Sequence, residues 1–290
     1  MSKPTTGPTA LTPDAWHGAD YVHHSSLQAA MADEVLARLV LRGDEQVLDL
    51  GCGDGKISAR IAAQLPTGAV LGVDASVDMV AFAQRQFGIE AWPNLRFEVA
   101  NARTLAFHAR FDLLVSFNAL HWVPQQADAL RGIRRALKPR GQAHVRLVTR
   151  AALTSLEEVA EVVRREPRWV AAFAGFSDPY LRLSAEEYLT LAARLGLQRV
   201  SSQSELKRWD FHTEAAFFGF CNAGFGAWTQ VLPETRRRDF VEEVMQRYLA
   251  MIDAAFGERF TFHFMQTDLV LGRDDSHVSQ SGKAAAVNLS

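Results

Sequence analysis

Cysteine is scarce in this 290-residue sequence, where Cys52 and Cys221 are the only two. So far apart, they offer neither a disulfide framework nor the close pairing of a zinc site, and a reducing compartment is expected. Net charge is also nearly absent. The 31 Lys and Arg are set against 33 Asp and Glu, for a formal -2. No general field is left to hold a polyanion, so nucleic acid is not expected as a partner. No apolar run is long enough to cross a bilayer, and the polar first 13 residues lack a signal-peptide core; a cytoplasmic protein without a membrane partner is expected. No clustered set of ligating side chains calls for a metal. What is present is an ordinary globular composition, 48% hydrophobic and 22% charged, which excludes a wholly disordered or coiled-coil chain.

Residues 1–13 and 274–290 carry no usable apolar period and read as a disordered N-terminus and tail. Residues 14–44 read as an N-terminal helical cap segment, with Leu27, Met31, Val35 and Leu39 at helical spacing. Strand and helix patterns then alternate through 45–150, the cofactor-binding core, which is the signature of βαβ units. The strands are centred on Val47 to Leu50, Ala69 to Val73, Leu95 to Val99, Phe111 to Phe117 and Gln142 to Val148. The rhythm breaks at 151–183, a cap insertion, and resumes at 184–210 as a core helix and strand, where Ser184 and Glu187 form a capping box. A second cap insertion follows at 211–257, and a last core strand at 258–273. The expected fold is α/β, a doubly wound, mostly parallel seven-stranded sheet with a helical cap and its last two strands antiparallel at one edge.

The strongest local signal is VLDLGCGDGKIS, Val47 to Ser58, with Gly51, Gly53 and Gly55 at the carboxyl end of the first strand. Ligands of open α/β sheets bind there, and glycine lets the backbone approach them closely. Asp74 ends the second strand, where a carboxylate can accept both hydroxyls of a ribose. Two ligand classes share that geometry, a dinucleotide and S-adenosylmethionine. Asp49 and Asp54 flank the glycines and would repel a pyrophosphate, whereas a sulfonium and an ammonium group would be attracted. The glycine spacing also departs from the dinucleotide fingerprint. Met79, one turn past Asp74, is placed to lie on the adenine ring, and Asn101 and Ala102, after the third strand, to meet its edge.

With these runs in view, the chain resembles the class I S-adenosylmethionine-dependent methyltransferases, and within them the group of juvenile hormone acid and trans-aconitate methyltransferases. The resemblance rests on YVHHSSLQ (Tyr21 to Gln28), VLDLGCGDGK, GVDASVDM, FDLLVSFNALHWV (Phe111 to Val123) and ALKPRG. It implies a Rossmann-like methyltransferase fold, S-adenosylmethionine as cofactor and S-adenosylhomocysteine as product. It also adds Tyr21, Cys52, Ala75 and Asn118 to the cofactor-binding residues, and it places the substrate carboxylate between Gln28 and Trp122. An amide and an indole N–H can orient a carboxylate without cancelling its charge. At Asn101 the commoner residue of the family is Asp.

His121 invites a general-base role, but a carboxylate is already ionised at neutral pH and needs none. His121, with His23 and His24, is therefore read as orienting or structural. Arg164, Arg165 and Arg236 to Arg238 read as solvated helix faces. The insertions are rich in aromatics: Trp169, Phe173, Phe176 and Tyr180 in the first, and Phe211, Phe217, Phe218, Phe220, Phe225 and Trp228 in the second. Most are expected to pack the cap, and the remainder to line a pocket for an apolar tail. The expected reaction is O-methylation of a small, largely apolar organic acid. The alternatives are a hydroxyl, amine or carbon acceptor, a non-catalytic S-adenosylmethionine-binding protein, and an NAD-dependent oxidoreductase.

Overall fold

Short apolar runs, nearly continuous in the central strands, build the sheet in the computed structural model, which describes residues 26–178 and 180–273. Tyr21, His23, His24 and the two ends expected to be disordered lie outside the described residues. The strands are β1 (Gln46–Leu50), β2 (Ala69–Asp74), β3 (Leu95–Val99), β4 (Phe111–Phe117), β5 (Leu137–Thr149), β6 (Leu197–Asp210) and β7 (Thr261–Arg273). They form one sheet in the order β3-β2-β1-β4-β5-β7-β6. The first five pair in parallel, and β7 runs antiparallel to both β5 and β6. The seven-stranded, mostly parallel α/β sheet expected from the pattern is thus the observed one.

Period two sorts the side chains between the two faces. Leu48, Leu50, Leu71, Val73 and Leu114 bury against one layer of helices. Val47, Val70, Leu113 and Val115 bury against the other, which includes α2 (Lys56–Ala62) and α3 (Val77–Gln86). A third apolar cluster belongs to the cap. It joins α5 (Leu156–Val163), α7 (Glu214–Gly224) and α9 (Glu234–Phe256) to Phe262 and Phe264 of β7. Trp169 and Trp228 are fully buried within it, and their indole N–H groups donate to Glu243 (2.8 Å) and Glu161 (2.9 Å).

Three local readings change. Helix α1 (Ser26–Leu36) stops before Leu39. Strand β5 begins at Leu137 rather than Gln142. There Phe111 pairs with Leu137 and Leu113 with Gln142, so an irregularity in the ladder houses Pro139, which has no N–H to contribute. Arg164 is not a solvated residue, since its side chain is only 14% exposed and pairs with Glu161 at 2.6 Å.

Strand order reverses between β1 and β4, which lie side by side while their following crossovers run to opposite faces. A crevice opens at the carboxyl ends of such a pair. The loop after β1 carries Gly51 to Gly55, and the loop after β4 carries Asn118 to Trp122.

Candidate functional site

The glycine loop is held in place by the strand next to it. Gly51 and Cys52 donate their N–H groups to the Val73 carbonyl at 2.7 and 3.0 Å. Gly51 has φ +81, and a Cβ there would lie 2.2 Å from the Ala119 Cβ, so only glycine lets the β1 and β4 loops meet. At Gly53 a Cβ would meet nothing within 4 Å; this part of the loop faces open space at the crevice. The Cys52 side chain packs among apolar neighbours, and burial pushes its thiol well above the usual range, so it stays a neutral thiol.

Asp74 ties the two loops together. Its carboxylate accepts from the Gly53 N–H at 3.0 Å and from the Ser76 N–H at 2.9 Å. Burial raises its pKa, with those N–H donors opposing the shift. A carboxylate has about four acceptor sites, so these backbone donors leave acceptor capacity for a diol. Ser76 caps α3 by accepting from the Met79 N–H, and Met79 is 5% exposed beside the exposed Ala75. Asn101 caps a short turn at Ala102–Thr104 with its side-chain carbonyl, which accepts from the Arg103 N–H, and its amide N–H₂ is the donor it could offer an adenine edge.

Asp49 lies beneath the loop, 2% exposed, and accepts from the Ser58 hydroxyl at 2.6 Å. Burial foremost, then the charges of Asp74 and Asp54, raise it to about 7. Asp54 is paired with Lys56 at 2.7 Å, but no cation is among the groups acting on Asp49. The loop is therefore an acidic cradle that fits the sulfonium and ammonium of S-adenosylmethionine and opposes a pyrophosphate. A cation beside Asp49 favours its ionised form, so binding expels the proton that the free protein holds below about pH 7. Affinity for S-adenosylmethionine is expected to rise by up to about tenfold per pH unit as pH climbs to about 7, then to level off. Calorimetric titration across that range checks this, and Asp49→Asn should flatten the curve. A parent protein with no pH dependence would remove Asp49 from the cofactor's surroundings.

The β4 loop brings three predicted residues to one partly open cavity of about 120 Å³ between the sheet and the cap: Asn118, His121 and Trp122. Asn118 has φ +56, and its Oδ1 is buried without a partner. His121 is 6% exposed, and its Nδ1 accepts from the Val148 N–H at 3.3 Å, which places the proton of the neutral ring on Nε2. Burial lowers its pKa to about 3. Its Nδ1 lone pair is thus occupied, and the Nε2–H is the polar group the neutral ring has left to offer. Tyr180 closes over both residues, its ring centre 5.0 Å from each of theirs, and the Leu181 N–H donates to the His121 carbonyl at 2.9 Å.

Gln28 lies on α1 between Leu27 and Met31, both of which line the cavity; its side chain lies outside what is described. Of the ten cap aromatics, Tyr180, Phe220 and Phe225 line the cavity, and the other seven pack the cap. Sequence reasoning missed Leu156, Glu157 and Cys221, which also line it. Glu157 follows the cap residue Ser155 and looks like any charge of a first helical turn, so no local signal singles it out.

Comparison with known proteins agrees with this geometry. Residues 47–141 match a family described as a methyltransferase domain. The chain is similar to a trans-aconitate 2-methyltransferase of Methylobacterium nodulans, 30% identical over 67% of this chain and 66% of that protein. The chain thus spans about two thirds of that relative's length. Among solved structures, it is similar to a putative methyltransferase of Bacillus halodurans, with TM-score 0.60 at 13% identity, covering 84% of this chain and 99% of that one. It is also similar to a Haemonchus contortus phosphoethanolamine N-methyltransferase in complex with S-adenosyl-L-methionine, with TM-score 0.57 at 14% identity, over 89% of this chain and 57% of that one.

Proposed function

Because this chain belongs to the class I S-adenosylmethionine-dependent methyltransferases, we propose that it methylates a carboxylate oxygen of a small, largely apolar organic acid. The observation that carries this reading is the cavity beside Asn118, His121 and Trp122, which is walled mainly by apolar side chains and has no Lys or Arg among its described lining residues. An acid with one carboxylate suits such a space. Extra carboxylates would be buried there without partners, which is strongly unfavourable. The guanidinium of Arg182 borders a separate small cavity, its carbon 5.1 Å from the Tyr180 ring centre.

S-adenosylmethionine supplies the electrophilic methyl group on a sulfonium centre. Asp74, the glycine loop and Asp49 hold the cofactor. His121 Nε2–H and Trp122, with Gln28 on the facing helix, orient the carboxylate, and the cap excludes water. The occupied lone pair of His121 supports an acceptor that needs no proton removed, and so favours a carboxylate over a hydroxyl. The trans-aconitate specificity named for the relatives supports acid methylation as a class.

Release of S-adenosylhomocysteine from a homologous series of straight-chain acids tests the reading. Each buried methylene contributes up to about 0.8 kcal/mol, so kcat/KM should climb roughly fourfold per carbon until the cavity is full. Gln28→Ala and Trp122→Phe should raise KM for the acid or lower kcat while leaving cofactor affinity nearly unchanged. A preference for trans-aconitate over every monocarboxylic acid would overturn the apolar-acid assignment.

A further inference from the structure

Charge of one sign collects at the end of α4 (Gln126–Ala136) that lies away from the His121–Trp122 turn. Arg131, Arg134 and Arg135 stand three and four residues apart and so share one face of the helix, while Leu130, Ile133 and Ala136 bury the other. Like charges at that spacing destabilise a helix. Folding adds to the cluster, because Arg273 at the end of β7 and His108 ahead of β4 join the same three arginines around a cleft of about 350 Å³. Leu195 completes the lining, and no Asp or Glu is among the described lining residues.

Main-chain carbonyls hold the guanidinium groups. Arg134 Nε donates to the Gly196 carbonyl at 3.2 Å, Arg135 Nη2 to that of Leu105, and Arg273 Nη1 to that of Leu137 at 2.7 Å. Gly196, in the turn after α6 (Ala185–Arg194), has φ +77, and a Cβ there would lie 2.5 Å from the Arg134 Nε. The turn is thus shaped to admit that side chain. A carbonyl fixes the plane of a guanidinium without cancelling its charge. Arg131 pairs with Asp128 at 2.9 Å, an exposed contact that solvent screens. Capping of the helix does not account for the cluster, since the Arg135 and Ala136 carbonyls already accept from the Ala109 and Arg110 N–H groups at 2.8 and 2.9 Å.

Four planar forks around one cleft match the several oxygens and multiple charge of a phosphate group, whereas a single carboxylate leaves most of them unmet. The chain as a whole carries a formal -2, so the attraction is local and suits a compact anion better than a long polyanion. Independently of the carboxyl-methylation reading, we propose that this cleft is a second binding site, for a compact phosphorylated anion with at least two charges, and that Arg131, Arg134, Arg135 and Arg273 are its donors. Gln126, at the other end of α4, donates to the Val123 carbonyl at 2.9 Å beside the His121–Trp122 turn. The helix rises about 14 Å from Gln126 to Arg135, so the anion and the cofactor occupy separate places.

Calorimetric titration of pyrophosphate into the full-length protein at about 0.1 M ionic strength tests this. The acidic glycine loop opposes that probe, so its binding reports on the cleft. One equivalent should bind with a Kd below about 1 mM, and equally well when S-adenosylhomocysteine is bound. Arg135→Gln should weaken binding by at least roughly tenfold, the scale of a hydrogen bond to a charged group, and Arg135→Lys, which keeps the charge and loses the fork, should fall between. Affinity for S-adenosylhomocysteine should stay unchanged in both. Arg131→Gln, whose side chain is exposed, reads the same loss should Arg135→Gln fail to fold. Absence of saturable pyrophosphate binding overturns the proposal, as does an affinity that neither glutamine variant moves, or competition with S-adenosylhomocysteine. Asp274 and Asp275 directly follow Arg273 in the sequence. Binding seen only after Asp274→Asn and Asp275→Asn assigns the arginines to the chain's own carboxylates and also overturns it. So does cosedimentation with phosphatidylglycerol vesicles that pyrophosphate fails to displace, which gives the surface to a membrane.

Discussion

Arg146→Ala is expected to lower the free energy of unfolding by about 3–5 kcal/mol, the cost of breaking a buried ion pair by removing one partner. Arg146 lies in the middle of β5 with no exposed side-chain surface, directly across the antiparallel ladder from Asp268 of β7. The guanidinium donates to both Asp268 oxygens at 2.6 and 2.7 Å, and its Nη1 donates to the Met31 carbonyl at 3.1 Å. Glu34 lies 3.4 Å away and Arg38, in the turn just past α1, reaches Asp268 as well, so one buried fork fastens α1 to the sheet. Met31 and Leu27 line the cavity from that helix; the lesion should therefore raise acceptor KM as well as reduce stability. Denaturant unfolding reads the first effect and steady-state kinetics the second. The double variant Arg146→Met, Asp268→Leu should recover much of the stability, since no buried charge is then left alone. A loss below about 1 kcal/mol for Arg146→Ala would show that water reaches the site and that the pair is not structural.

The contrast between Arg146 and the glycine loop shows what a sequence can reveal. Gly51, Gly53, Asp49 and Asp74 are legible because their chemistry is local. Strand, turn and helix are contiguous, and acidic side chains within a few positions of the glycines decide between ligand classes. The strands are legible for the same reason, since each is a contiguous run bounded by turn residues. Arg146 and Asp268 are 122 residues apart, and each sits in a strand run among several other polar residues, so neither stands out. Only the pairing of β5 with β7 makes them partners. Glu157 is hidden more deeply. It stands beside Glu158, whose carboxylate completes a capping box with Ser155, so the two look interchangeable until the cap folds and turns one inward. The occupation of the His121 Nδ1 by the Val148 N–H is likewise a tertiary fact, which its place in the LHWV run does not foretell.

Asp74→Ala should leave a folded protein whose affinity for S-adenosylhomocysteine is weaker by about 1.5–3 kcal/mol, or roughly ten- to a hundredfold, the scale of hydrogen bonds to a charged group. The argument turns on how the carboxylate's acceptor sites are shared. Two are taken by the Gly53 and Ser76 N–H groups, which hold the β1 and β2 loops together. A ribose diol at this strand end would donate its protons to the acceptor sites that remain. Asp74→Asn discriminates a ribose ligand from a purely structural link. Its single carbonyl could still serve one backbone N–H, but its own N–H₂ would confront either the second backbone donor or a ligand hydroxyl. An affinity loss close to that of the alanine variant is therefore expected, despite a nearly identical volume. Calorimetric titration, with circular dichroism to verify folding, reads both variants. If they bind S-adenosylhomocysteine as tightly as the parent, Asp74 only clamps the loops and the hydroxyls must find another acceptor. If Asp74→Asn alone retains full affinity, neutral hydrogen bonding is sufficient and the negative charge of the site lies in Asp49.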